Sequence, residues 1–199
     1  MSDDQTIATY NAQAQRYADL VSRTEPDADL QRFMDGVPAG GTVLDLGCGP
    51  GNSAAMMQKA GLAVTATDAS EEMIRIARDT FGLDAKVAVF DDLDAVEAYD
   101  GIWANFSLLH APRDDLPRHL AAIHTALRPG GLFHIGMKTG EGMQRDRLGR
   151  RYAYFTPTEL RALLGQAGFA VETEREGEDK ALSGEMSPFV VLTARKTAA

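Results

Sequence analysis

The stretch Val43-Leu44-Asp45-Leu46-Gly47-Cys48-Gly49-Pro50-Gly51 constrains this chain more than any other. An apolar run follows Gly40-Gly41, stops at three glycines spaced two apart, and gives way to Ala/Met-rich sequence at Ser53. As local structure this is a strand, a tight turn and a helix over 53–60, ended by Gly61. Glycines tolerate positive φ and carry no Cβ, so a ligand can approach the backbone of the turn, and the first turn of the helix offers unpaired N–H donors. A nucleotide-like guest suits such a turn.

The spacing narrows the guest. A dinucleotide fingerprint, G-x-G-x-x-G, needs glycine at 47, 49 and 52, and position 52 is Asn52. What stands here is Asp45, Gly47, Gly49 and Gly51. A carboxylate separated by a single residue from the first glycine repels a pyrophosphate and attracts the cationic end of a ligand through charge-assisted hydrogen bonds. On these residues the sequence resembles the class I S-adenosylmethionine (AdoMet) dependent methyltransferases, whose first motif is an acidic residue followed by G-x-G-x-G. The resemblance implies that Asp45, Gly47, Cys48, Gly49 and Gly51 hold the amino-acid end of AdoMet. Cys48 is read as a small loop residue, not a nucleophile.

Further motifs follow at matching distances. A second strand, 62–67, delivers Asp68, where a carboxylate can accept both ribose hydroxyls; with Ala69 it matches the family's ribose-binding position. Ser70 caps the next helix, 71–80, with Glu71 and Glu72 in its first turn. A third strand, 85–90, runs into Asp91-Asp92-Leu93, which the resemblance places against adenine. The fourth strand, 99–105, ends at Asn105, facing the methionine part of AdoMet, and His110 follows in a family-like Leu-His pair as the candidate catalytic base. His119, His124 and His134 are read as packing residues. Pro129-Gly130-Gly131 turns the chain into a fifth strand, 132–137.

The N-terminal forty residues form a helical cap ahead of the α/β core of 41–199. Ile7, Tyr10, Ala14, Tyr17 and Val21 recur at helical spacing over 4–21, and a second helix begins near Pro26. Such caps close over the cofactor in small-molecule methyltransferases, which implies that Tyr17 touches AdoMet and Tyr10 the acceptor. The connection from Lys138 to Phe155 shows neither helical nor strand periodicity. Its Lys138, Arg147 and Arg150, with Tyr154, would suit a small anionic acceptor. A capping box at Thr156 starts a last helix, and strands at 169–175 and 189–194 pair antiparallel across a polar 176–187.

The expected architecture is therefore an α/β, Rossmann-like, seven-stranded and mostly parallel sheet with its last strand antiparallel and helices on both faces. Length agrees, since 199 residues with 44% hydrophobic content suit one domain. A net charge of −9 speaks against nucleic acid or a membrane surface as partner. One cysteine leaves no internal disulfide and no thiolate metal site. With no leader-like start and no long apolar run, a cytoplasmic monomer or homodimer is expected. The activity implied is methyl transfer to a small-molecule acceptor. A nicotinamide-dependent oxidoreductase and a non-catalytic AdoMet-binding protein are the alternatives; the absence of a Tyr-x-x-x-Lys pair counts against the first.

Overall fold

The computed structural model describes residues 3–180, 182, 184 and 186–197. Its centre is β1 (Thr42–Leu46), apolar on both faces because sheet neighbours flank it on either side and helices cover it above and below. Parallel to it run β2 (Ala63–Asp68) and β4 (Tyr99–Asn105), with β3 (Ala85–Val87) outside β2 and β5 (Leu127–Lys138) outside β4. Beyond β5 the sheet ends with β9 (Met186–Lys196) and β8 (Phe169–Lys180), giving the order β3-β2-β1-β4-β5-β9-β8. Within this sheet β9 alone runs against the common strand direction, pairing antiparallel with both β5 and β8, as the sequence led us to expect.

The crossover helices start and stop where their caps dictate. α3 (Asn52–Lys59) begins directly after Gly51, whose φ of +90° makes the turn from β1. α4 (Glu71–Phe81) is capped by Ser70, which accepts from the Met73 N–H, and ends on Gly82 at φ +66°. On one face, α5 (Leu116–Ala126) and α6 (Pro157–Gln166) bury Leu120, Ile123, Leu160 and Leu164 against Phe133, Ile135 and Leu192. On the other, α2 (Ala28–Gly36) packs Phe33 edge-on against Trp103 at 5.2 Å, in a space kept open by Gly101. α3 and α4 complete that face through Met57, Ala54, Ile74 and Ala77. α1 (Asp4–Val21) rests on α4 through Ala14, Met73 and Ile76.

Several boundaries differ from the sequence reading. α2 is capped by Asp27, which accepts from Asp29 and Leu30, so it starts two residues beyond Pro26. The third strand stops at Val87, because the chain then tightens into a short 3-10 turn, Phe90–Asp92, in which Asp92 accepts the Val89 N–H. β5 already pairs at Leu127, and Pro129-Gly130-Gly131 forms an excursion within it, visible as a register jump between Tyr99↔Leu127 and Gly101↔Leu132. The connection after Lys138 is no irregular loop but contains a hairpin, β6 (Met143–Arg145) with β7 (Arg151–Ala153). Its strands are three residues long, too short for a hydrophobic alternation to register. The polar 176–187 stretch largely extends β8 and β9, because their ladder runs out to Lys180↔Met186.

Phe33 is the main apolar anchor of the N-terminal helices. Phe33→Ala should lower stability by about 3–5 kcal/mol in urea denaturation while the far-ultraviolet circular dichroism of the folded protein stays unchanged. A loss under about 1 kcal/mol would mean that α2 is not held through this contact.

Candidate active site

A cavity of about 610 Å³ opens beyond the carboxyl ends of β1, β2 and β4, roofed by α1 and extending toward β8 and β9. The three glycines divide the labour there. Gly47, at φ +79°, stands where a Cβ would run into Ser107, whose hydroxyl donates to the Leu46 carbonyl at 2.6 Å. Gly49, at φ +54°, faces the cavity with only the Tyr17 ring near it, at 3.5 Å from the position a Cβ would take. Gly51 departs from the sequence reading: it faces Ala77 and Leu83 and does not line the cavity, so it serves the turn and the packing of α4. Cys48 does line it, and the Gly47 and Cys48 N–H groups both donate to the Thr67 carbonyl, locking the turn to β2.

Asp45 is 2% exposed, and its Oδ2 has no hydrogen-bond partner among the described residues. Burial, reinforced by the nearby charge of Asp68, pushes its carboxyl up to about 8, against the pull of the Ala54 N–H. Asp68 ends β2 with both oxygens engaged, Oδ2 accepting the Gly49 N–H at 2.9 Å and Oδ1 the Ser70 N–H at 2.8 Å. Burial raises its pKa, and those N–H groups oppose the rise. Ala69 lines the cavity beside it. Asp91 also reaches the cavity, though its carboxylate pairs with Arg118 at 2.6 Å and lies 3.7 Å from the His119 Nδ1. The structure does not bring Asp92 or Leu93 to the cavity: Asp92 caps the Phe90 turn and Leu93 packs on the main core. Ala88, Val89 and Phe90 form that wall instead, together with His119.

Above the turn stands a cluster from α1 and the hairpin. Tyr10 and Tyr17 meet edge-on at 5.5 Å. His110 Nδ1 lies 2.6 Å from the Arg151 carbonyl, which can only accept, so Nδ1 carries the proton and Nε2 the lone pair. Nε2 then accepts the Tyr10 hydroxyl at 2.8 Å, and the Tyr10 oxygen accepts Arg150 Nη1–H at 3.0 Å. Burial holds the imidazole down at about 4, with Arg150 and Lys138 adding to the effect while the Arg151 carbonyl opposes it. A base whose lone pair is occupied and whose cation is disfavoured is poorly placed to take a substrate proton, so the geometry points His110 toward holding Tyr10.

The basic connection is largely neutralised within the protein. Arg150, 2% exposed, pairs with Asp146 at 2.6 Å; Arg145 reaches Asp3 at 2.7 Å; Lys138 Nζ sits 4.0 Å above the Tyr152 ring. Arg147 is exposed at the hairpin turn and Tyr154 packs on the core, so neither lines the cavity, and Tyr152 takes the place expected of Tyr154. The hairpin straps α1 down through Thr9 to the Leu148 carbonyl and Thr6 to the Arg151 N–H.

Ser107, Asp29, Arg175 and Phe189, also not foreseen as site residues, line the cavity too. Asn105 does so as expected, and His134, read as packing, fixes it. Its Nε2 lies 3.2 Å from the Asn105 Oδ1, its Nδ1 3.4 Å from Thr193 Oγ1, and its ring stacks on Trp103 at 3.7 Å. The period-two reading of strands assigns faces, but says nothing of which face is left uncovered near its end.

The "Methyltransferase domain" family matches residues 43–131, the span from β1 through the turn before the buried part of β5. Methyltransferase GfsG of Streptomyces halstedii is 40% identical over 110 residues, covering 50% of this chain and 38% of that protein. Trans-aconitate 2-methyltransferase of Variovorax paradoxus is 34% identical over 149 residues, covering 71% of this chain and 54% of its own length. The crystal structure of Burkholderia thailandensis 1,6-didemethyltoxoflavin-N1-methyltransferase, with its acceptor and S-adenosylhomocysteine bound, superposes with a TM-score of 0.76 at 25% identity, over 98% of this chain and 88% of that one. Residues 43–131 thus carry a methyltransferase domain, and the chain as a whole has the fold of the AdoMet-dependent methyltransferase structure it superposes on. It spans less than two thirds of the length of the two curated relatives named here. Among the described residues no helix is long and apolar enough to cross a membrane, and no cluster of His, Cys, Asp and Glu has the arrangement to hold a metal ion.

The tautomer of His110 is directly observable in this methyltransferase-domain protein. Its imidazole should remain neutral and Nδ1-protonated in nitrogen-15 correlation spectra from pH 8 down to about 5, titrating only near 4. The folded form then binds fewer protons than the unfolded chain between about 6.5 and 4, so His110 makes stability fall as pH drops through that window. An Nε2–H tautomer would remove the Tyr10 bond from the scheme.

Proposed function

We propose that this protein transfers the methyl group of AdoMet to a small-molecule acceptor that carries an anionic group. The observation that carries the reading is the pairing of a side-chain-free turn with Asp45, a buried carboxyl whose Oδ2 lacks a partner. Such an oxygen costs stability unless a ligand satisfies it. The ammonium of an amino-acid ligand would do so. A pyrophosphate would bring no cation to Asp45 and would add negative charge next to Asp68, which disfavours a nicotinamide cofactor.

AdoMet supplies, when bound, a methyl group on a sulfonium that leaves without acid assistance. The protein's part is to bind, align and dry the site. Gly47, Cys48 and Gly49 let the ligand lie on backbone, and Asp68 offers its remaining lone pairs to ribose hydroxyls. The adenine end would lie along Ala88 to Asp91. Tyr17 and Tyr10 close the roof, strapped by the hairpin, and Asn105 sits beside the donor's methionine part with its amide held by His134. With His110 Nε2 engaged by Tyr10, the acceptor atom must reach the site already bearing a usable lone pair, as carboxylates and many ring nitrogens do. The Variovorax relative's named substrate, trans-aconitate, is a polycarboxylate, which favours an anionic acceptor here.

Two outcomes test the cofactor half. Below about 8 the Asp45 carboxyl is protonated in the free protein, and a cationic ammonium favours its ionised form. Calorimetric titration with S-adenosylhomocysteine near neutral pH should therefore show a proton released to buffer and an affinity that rises with pH and levels off above about 8. Asp45→Asn should remove that proton release. Asp68→Ala should weaken the same titration by about 1–3 kcal/mol, as expected when ribose hydroxyls lose a charged acceptor. Unchanged affinity in both variants would sink the assignment.

A further inference from the structure

The cavity continues past the glycine turn to a part of the sheet where no motif marked a binding residue. Asn105, Gly136, Val191 and Arg175 are consecutive register partners across β4, β5, β9 and β8. They form one row, and Asn105, Val191 and Arg175 line the cavity. Three strand spacings put the Arg175 Cα roughly 14 Å from that of Asn105. The Arg175 side chain bends back, bringing its guanidinium to 5.0 Å from the centre of the Phe189 ring on β9. Phe189 meets Phe106 edge-on at 5.5 Å, so the two rings form one continuous aromatic wall, and the Asn105 amide lies over Gly136, which has no side chain to displace it. What results is a strip along one aromatic wall, with an amide at one end and a guanidinium at the other.

Ion pairing at the far end leaves the guanidinium available. Arg175 donates through Nε at 3.1 Å and through Nη2 to Asp29 Oδ2, while Asp29 Oδ1 accepts Arg32 Nη1 at 3.1 Å. Asp29 therefore keeps a partner when Arg175 turns away. The Arg175 side chain is 52% exposed against 10% for Asp29, and its Nη1 has no partner among the described residues. Arg150, the hairpin cation that lines the cavity, differs in both respects, being buried in its pair with Asp146 and donating from Nη1 to Tyr10. A guanidinium steadied over an aromatic ring, with one edge unengaged, matches the fork geometry of a carboxylate.

We propose that Arg175 is the specificity residue that reads a carboxylate on the methyl acceptor, at a site distinct from the basic connection of 138–155. This rests on the AdoMet reading above. The acceptor lies along the wall formed by Phe106 and Phe189, its reacting atom beside Asn105 and its carboxylate roughly two strand spacings, or about 10 Å, away on Arg175. The carboxylate so held is a handle remote from the methylated atom. It uses the Nη1 side that Asp29 leaves unengaged, and Asp29 keeps Arg32 as a second partner.

The test uses protein saturated with S-adenosylhomocysteine and a set of flat carboxylates, each beside its primary amide, beginning with 4-hydroxycinnamate and 4-hydroxycinnamamide. At least one carboxylate should bind about tenfold or more tighter than its amide, the order expected of a charge-assisted bidentate contact. Arg175→Gln should erase that preference, and Arg175→Lys should restore part of it, with melting temperature and S-adenosylhomocysteine affinity unchanged in both. Equal binding of acid and amide, no binding by any member of the set, or a preference that survives Arg175→Gln would overturn the proposal. Failure of the wild-type protein to bind S-adenosylhomocysteine would be a separate result, directed at the AdoMet reading itself.

Discussion

A carboxyl group buried beside a turn without side chains is the constraint from which the rest of the site follows. Asp45 sits near the end of β1, just ahead of a turn in which Gly47 leaves room for Ser107 and Gly49 leaves the backbone open beneath the Tyr17 ring. Placed so, the carboxyl is poorly solvated and short of donors, which raises its pKa and creates a standing preference for a cation. Asp68 on the neighbouring strand adds negative charge to the same corner, but its own oxygens are already tied to backbone N–H groups. The two acids, chemically alike, are thus set apart by their partners.

The N-terminal helix is held over this corner from two sides. Ser70, at the start of α4, donates to Asn11 at 2.6 Å, while the hairpin grips Thr6 and Thr9. The basic residues of the connection are spent on this clamp: Arg145 and Arg151 on Asp3, Arg150 on Asp146 and Tyr10. A run of cations that looks like an anion site in one dimension is, in three, the internal counter-charge of a lid and its strap. Arg175, half exposed and lining the cavity, arrives from the far end of the sheet.

The parts legible in the sequence were those specified locally. The glycine turn, the capping serine at position 70, the capping box at Thr156 and the acidic residues ending β1 and β2 each depend on neighbours a few positions away, and the structure places them where spacing suggested. What escaped was set by contacts distant in sequence. Gly51 carries the same pattern as Gly47, yet Leu83 decides that it faces the core. Asp92 and Asp91 are adjacent and identical, and only the tight turn at Phe90 sends one toward the cavity and the other to the Val89 N–H. Arg175 follows an ordinary strand pattern, and its role emerges from register across three strand pairings.

The position of β9 has a kinetic meaning. It is interior, with Val190, Leu192 and Ala194 buried between β5 and β8, yet it follows both of those neighbours along the chain. β8 and β9 are consecutive and pair as a hairpin, so the sheet is completed by docking β9 on β5. Contacts from β9 to β5 span some fifty residues or more of sequence, the non-local kind of pairing that slows folding. Until β9 docks, both Val191 and the strand that carries Arg175 lack their place in the cavity wall, so the acceptor side of the cavity depends on one of the longest-range pairings in the sheet.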